Sequence, residues 1–347
     1  MPAPELCVAF ACDTEDNHPN YVPGWNNCGS DYDKNPGTLN WSWSRYWRDL
    51  SECFKSQKVP VSWLIRVDNG PVLDQMLTLF RDKILELKSI GDEIGIHIHT
   101  FSWDPELSKW VQTTNPAYET KIVLNSLAMF RRNLGFDPVS VRMGWNTMSS
   151  EIMRTLDANG LLVDASAIPG TFSSGKFGKR DNIYDWSRTP TIPYHPSSND
   201  YQSPGNMKIL EMPLSTLTSN KSNKFADLVN RLSGKKVLIK LVPIARRLNL
   251  TPHRHFYITP WWSSSVYSRI IKAYSKKAIV DGMTFLVGYF HGCDILDPKT
   301  GKKNLIFEQY LSSIIEEISS LSGIDVTFAT LSEIAKQYGT DASTHYS

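Results

Sequence analysis

Short runs of β-branched and apolar residues recur along this chain, separated for the most part by segments of helical length, and no other feature constrains its fold as much. The runs cover residues 6–12, 59–67, 93–99, 139–143, 161–165, 208–212, 256–259, 283–290 and 324–328. Residues 42–57 place Trp43, Tyr46, Trp47, Leu50 and Phe54 at three- and four-residue spacing, and residues 72–89 do the same with Val72, Met76, Leu77, Phe80, Ile84 and Leu87. Both spacings predict amphipathic helices. Strands alternating with helices call for a parallel sheet, and about eight such units favour a barrel-like closure over an open sheet. Residues 167–206 break the rhythm with Gly, Ser and Pro. They are too long for a routine connection, so they read as an excursion over one barrel end, with Ile209 re-entering the sheet.

Composition narrows the classes. At 347 residues with 41% hydrophobic and 21% charged residues, the chain can bury a large core and is neither disordered nor fibrous. A net charge of +2 argues against nucleic acid as partner. The five cysteines have no C-x-x-C spacing and read as reduced thiols. No spanning apolar run and no secretory signal are seen, so a cytoplasmic protein is expected.

Two strand ends carry chemistry. Asp13, Glu15 and Asp16 directly follow the first apolar run, and alternation puts Asp13 and Glu15 on one side if the strand continues. Of a close acidic pair, one member can hold a metal while the other takes a proton from water. His97 and His99 close the third run two residues apart, hence on one face of a strand. Parallel strands ending side by side would bring these acids and imidazoles together at the carboxyl edge of the sheet. A carboxylate plus two histidines suits one divalent ion, and zinc, iron, cobalt and manganese all meet that description.

These segments resemble the polysaccharide deacetylases of the NodB-homology type, carbohydrate esterase family four, and in particular divergent members with His-x-His that act in bacterial surface-glycan synthesis. The likeness rests on Phe10-Ala-Cys-Asp13-Thr-Glu15-Asp16, on Gly91-Asp-Glu-Ile-Gly-Ile-His97, on Val141-Arg142-Met-Gly-Trp145 with Asp164-Ala-Ser166, and on Phe285-Leu-Val-Gly-Tyr-Phe-His291. It implies a distorted (β/α) barrel, one catalytic domain over residues 1–347 with a loop insertion around 167–206. It also implies Asp13 as general base, Arg142 holding Asp13 ionised, His291 as general acid, and a metal on His97 with Glu15 or Asp16. Classical members place the second metal histidine four residues after the first. Here that position is Phe101, so His99 is expected to take the role.

The implied activity is metal-dependent removal of an N-acyl group, acetyl foremost, from a sugar of surface-polysaccharide (O-antigen- or capsule-like) biosynthesis. The substrate would be an N-acylated sugar, a nucleotide-sugar or a lipid-linked glycan. Read from its residues, the basic stretch Lys235, Lys236, Lys240, Arg246, Arg247, His253, Arg254 and His255 could grip a diphosphate, a carboxylated sugar or an anionic lipid headgroup at the inner membrane surface. A merely solvated face is the plainer account of that stretch. Trp25, Trp103, Trp145, Trp186, Trp261 and Trp262 could face sugar rings, although most tryptophans pack in cores. A hydrolase of small amides on the same fold and a catalytically silent glycan-binding homologue are the alternatives.

Overall fold

The structure, a computed structural model, describes residues 3–14, 42–68, 74–106, 109–174, 183–218, 253–259, 262–295 and 303–345. Its main sheet is built from β1 (Glu5–Asp13), β2 (Val61–Asp68), β3 (Glu93–His99), β4 (Ser140–Met143), β5 (Val163–Asp164), β6 (Leu210–Glu211), β7 (Met283–His291) and β8 (Asp325–Phe328). The order is β6-β5-β4-β3-β2-β1-β7, with β8 also pairing to β1, and every pairing is parallel. The chain after β6 closes the gap at the two edges. Met212 N donates to Asp164 O (2.8 Å) and Leu214 N to Ala167 O (2.9 Å), and then Ser215 N crosses to Val287 O (3.0 Å). The result is the expected distorted (β/α) barrel.

Alternation along each strand creates two layers. Large side chains face outward: Leu6, Val8 and Phe10 of β1, Trp63 and Ile65 of β2, and Ile94, Ile96 and Ile98 of β3 pack with Leu50, Phe54, Ile84, Leu87, Ile122 and Phe130 of the surrounding helices. The inward face is made of small residues, with Cys7, Ala9, Ala11, Ala165 and Val287 around Leu64 and Met212. At the carboxyl ends the same inward face turns polar, with Asp13, Arg66, Asp68, His97, His99, Arg142 and His291. The opposite mouth is plugged by the helix Leu331–His345, whose first N–H groups donate to Ser62 Oγ (3.0 Å) and to Glu93 Oε2 (2.8 Å). A carboxylate at a helix N-terminus is favourable there.

The helices of the outer layer are α1 (Ser42–Lys55), α2 (Gln75–Leu79), α3 (Arg81–Ser89), α4 (Pro116–Leu134), α5 (Ser150–Ala158), α6 (Ser264–Asp281), α7 (Leu305–Ser319) and the plugging α8. α4 starts where Asn115 Oδ1 accepts from Ala117 N and Tyr118 N, with Pro116 at its first position, and stops at Gly135 with φ 81°. Among the described residues no helix is long and apolar enough to cross a membrane. Cys7, Cys12, Cys53 and Cys293 are free thiols; burial first, then Glu5, pushes the Cys7 thiol up to about 12.

Two local expectations are corrected. The periodic stretch 72–89 is not one helix: it breaks at Phe80 (φ −120°, ψ 20°), because α2 packs on β2 while α3 turns to pack on β3. Residues 256–259 do not form a ladder of their own. His253–His255 pairs antiparallel with Thr216–Thr218, and 256–258 lies beside β7 through the single bridge Tyr257–Tyr289.

Gly95 sits where β3 and β4 approach closely; an added Cβ would overlap Ser140 Oγ and Leu64 Cδ2. Gly95→Ala is therefore expected to destabilise the fold by about 1–3 kcal/mol, as overpacking of a filled interior does, measured by urea denaturation.

Candidate functional site

Asp13 is the last residue of β1 and is buried, so its charge needs compensation from the protein. Arg142 supplies it: Nε donates to Asp13 Oδ2 at 2.9 Å. The rest of the guanidinium is also committed. Nη1 donates to Ala165 O (3.0 Å), Nη2 to Asn146 Oδ1 (3.0 Å), and the group lies 3.7 Å from the Tyr289 ring centroid. Such a fork has few ways to turn, so Arg142 holds Asp13 in one orientation. Asp13 Oδ1 accepts no hydrogen bond among the described residues, and it lies 3.8 Å from His97 Nδ1. Asp13 Oδ2 is 3.8 Å from His291 Nε2.

His97 and His99 share the inward face of β3, in register with Arg66 and Asp68 of β2. Their Nε2 atoms are 3.1 Å apart. Two imidazole nitrogens bound about 2.0–2.1 Å from one tetrahedral ion stand about 3.3 Å apart, so the separation is near that of a shared metal and also suits an N–H···N bond. His99 is clamped. Phe101 stacks on it (4.9 Å, 14°), and Trp145 meets it edge-on (5.8 Å). Gly144 is required beneath, because a Cβ there would enter the His99 ring. The two residues that follow adopt left-handed backbone, Trp145 at φ 54° and Asn146 at φ 56°. A bulky residue seldom adopts this conformation. The turn sets Asn146 on Arg142 and Trp145 on His99.

His291 ends β7 directly beside Asp13 in register. Its Nδ1 lies 3.2 Å from Tyr257 Oη and 3.5 Å from Asp294 Oδ2, while its Nε2 points to the Asp13 side. Asp294 is brought back by the turn Gly292–Ile295. It accepts from His291 N (2.8 Å) and from Tyr257 Oη (3.0 Å). A carboxylate behind Nδ1 fixes the tautomer that leaves Nε2 for chemistry.

The structure thus brings Asp13, Arg142, His97, His99 and His291 together, whereas Glu15 and Asp16 lie outside the described residues. Among the described residues no group of three metal-ligating side chains converges. Sequence reasoning missed Asp294, Tyr257, Tyr289 and the buried pair Arg66–Asp68, whose Nε···Oδ2 distance is 3.0 Å. The i, i+3 spacing of His291 and Asp294 and the charges closing the second apolar run were the available signals. Of the basic stretch, all but His253–His255 lies outside the described residues, as do Trp25 and Trp261. Trp186 is core, with Nε1 donating to Asn146 O (2.8 Å), Trp262 packs on His255 and Tyr257, and Trp103 is 47% exposed.

In sequence the chain matches no family model and no curated protein. In structure it superposes on a Mycobacterium smegmatis protein assigned to the polysaccharide deacetylases. The TM-score is 0.50 at 13% identity, covering 98% of this chain and 92% of that one. It also aligns with a family 4 acetyl xylan esterase from Clostridium thermocellum in complex with cobalt (TM-score 0.39, 13% identity, 96% and 92% covered). A further match is a 4-alpha-glucanotransferase from Thermococcus litoralis (0.42, 13%, 97% and 41% covered). The first of these likenesses is one of fold, and that fold is the distorted barrel of the NodB-homology type.

Arg142→Ala would strand a buried carboxylate. We expect it to lower unfolding free energy by about 3–5 kcal/mol in urea titrations, and Asp13→Asn in the same chain to restore part of that loss.

Proposed function

We propose that the chain is a metal-dependent hydrolase that removes an N-acyl group, acetyl foremost, from a sugar of bacterial surface-polysaccharide biosynthesis. The observation that carries this reading is Asp13, a buried carboxylate held by Arg142 at 2.9 Å with one oxygen turned toward His97 and the other toward His291. In this reading His97, His99 and Glu15 or Asp16 hold a divalent ion, zinc foremost and otherwise cobalt, iron or manganese. Once bound, such an ion supplies Lewis acidity toward the acyl carbonyl and toward water.

The protein's own groups do the proton work. Asp13 takes the proton of the attacking water through Oδ1, the oxygen without a hydrogen bond among the described residues. Arg142 holds Asp13 in place through a charge-assisted hydrogen bond to Oδ2. His291 gives a proton from Nε2 to the departing amine, with Asp294 and Tyr257 stabilising the imidazolium from the Nδ1 side. Trp145 and Phe101 pack against the His99 ring and hold it in place.

Substrates that fit this reading are an N-acylated sugar, a nucleotide-sugar or a lipid-linked glycan, handled in the cytoplasm or at the inner membrane surface. A catalytically silent glycan-binding protein is the second reading, favoured by Phe101 where classical relatives carry the metal histidine.

Elemental analysis of the wild type against His97→Ala and His99→Ala separates the two. Hydrolysis predicts near one divalent ion per chain, lost in both variants. A wild type that takes up no zinc, cobalt or iron supports the silent reading. With an N-acetylated sugar precursor, Asp13→Asn is expected to retain less than about a tenth of wild-type acetate release, a loss above about 1.4 kcal/mol in transition-state stabilisation.

A further inference from the structure

Two acids with no part in the proposed reaction lie in the barrel wall next to Arg142. Asp164 ends β5 and Glu211 ends β6, directly paired across the two strands, and both are 0% exposed. Each has one oxygen satisfied: Asp164 Oδ1 accepts from Ser166 Oγ (2.6 Å) and Glu211 Oε1 from Ala167 N (3.2 Å). The other two, Asp164 Oδ2 and Glu211 Oε2, meet no donor among the described residues, yet the carboxyl groups contact each other. Two touching carboxylates in a dry interior repel strongly, whereas a proton on one turns the contact into a hydrogen bond. We infer that Asp164 and Glu211 hold one proton between them, and that this acid pair is a positioning element for Arg142.

The mechanical link is short. Arg142 Nη1 donates to the carbonyl of Ala165, the residue after Asp164. Ser166, held by Asp164, accepts from the N–H of Met143, the residue after Arg142, at 2.8 Å. Glu211 ties down Ala167 on the far side of the same stretch. The pair therefore fixes the peptide groups that aim the guanidinium at Asp13. With one proton the pair carries a single negative charge; a second ionisation would set another anion in competition with Asp13 for Arg142.

The charged and titratable groups around it are few. Arg142 comes from β4. Tyr194 is bridged to Glu211, and its hydroxyl donates to Tyr201 O (2.7 Å). α8, packed on β5, carries Lys336 and Glu333, the latter accepting from Thr330 N. Burial is the first cause raising both acids, and for Glu211 the neighbouring Asp164 is the second. The folded chain thus keeps a proton that the unfolded chain releases above about pH 4. Stability from the pair is complete below that value and is lost as pH rises through the folded one.

The shared proton is independent of the proposed function, whereas the positioning role rests on the reading of Asp13 as base. The test uses the full chain as wild type, Glu211→Gln, Asp164→Asn and Glu211→Ala, with infrared spectra of the carboxyl C=O region and melting temperatures from about pH 5 to about pH 9. Expected are a protonated-carboxyl band at neutral pH that loses intensity in both amide variants, and a fall of melting temperature with pH that flattens in them, because an amide N–H replaces the proton. For positioning, Glu211→Ala should lower kcat of acetate release about tenfold or more with KM little changed, and Glu211→Gln should restore it. A band and a melting slope unchanged by the amide variants would overturn the shared proton. A kcat unchanged in Glu211→Ala, with the band present in wild type, would overturn the positioning role. Absence of any hydrolysis would count against the proposed function while the spectra and melting curves still decide the proton.

Discussion

The contact between Asp13 and Arg142 is what the rest of the site depends on. β1 and β4 are separated in the sheet by two strands, a path of about 14 Å if the sheet were flat. A 2.9 Å contact between their side chains forms because the sheet curls inward. The small inward residues Ala9, Ala11 and Gly95 permit that curl, and the segment after β6 that lands on Val287 closes it. The ion pair in turn is tolerated in a dry interior because Ala165, Asn146 and the Tyr289 ring take up the remaining face and donors of the guanidinium.

The geometry around the imidazoles follows from a second constraint. His99 has Phe101 stacked on one side and Trp145 against its edge, and only glycine fits at 144. The left-handed conformations of Trp145 and Asn146 are unfavourable locally. They persist because Asn146 is held at both its side chain, by Arg142, and its carbonyl, by Trp186. Asp13, the imidazole pair and His291 are therefore joined through one network, and a change at Trp186 in the core reaches Arg142 through a single residue.

Much of this was legible along the chain. The apolar runs that become β1, β3 and β7 were read within a residue or two, since a parallel strand buried on both faces leaves a continuous hydrophobic signature. The shared face of His97 and His99 followed from alternation, and the position of Asp13 at a strand end from the apolar run before it. The break at Phe80 was invisible because the periodicity of 72–89 runs through it unbroken; the turn comes from packing on two different strands. Asp294 and Tyr257 were passed over because their roles come from a turn and a single bridge that no periodicity announces.

The sequence by itself determined which residues face inward and that their polar members gather at strand ends, because a period of two and the carboxyl-end rule depend on nothing but local geometry and strand direction. What only the tertiary structure decided is which of those inward residues touch. Arg142 meets Asp13 rather than Asp164, and Phe101 serves as a support for His99. Glu211 comes to rest against Asp164 although forty-six positions separate them in the chain. Those contacts depend on sheet order, curvature and closure, which arise from how the whole set of strands and helices packs and are written in no single segment.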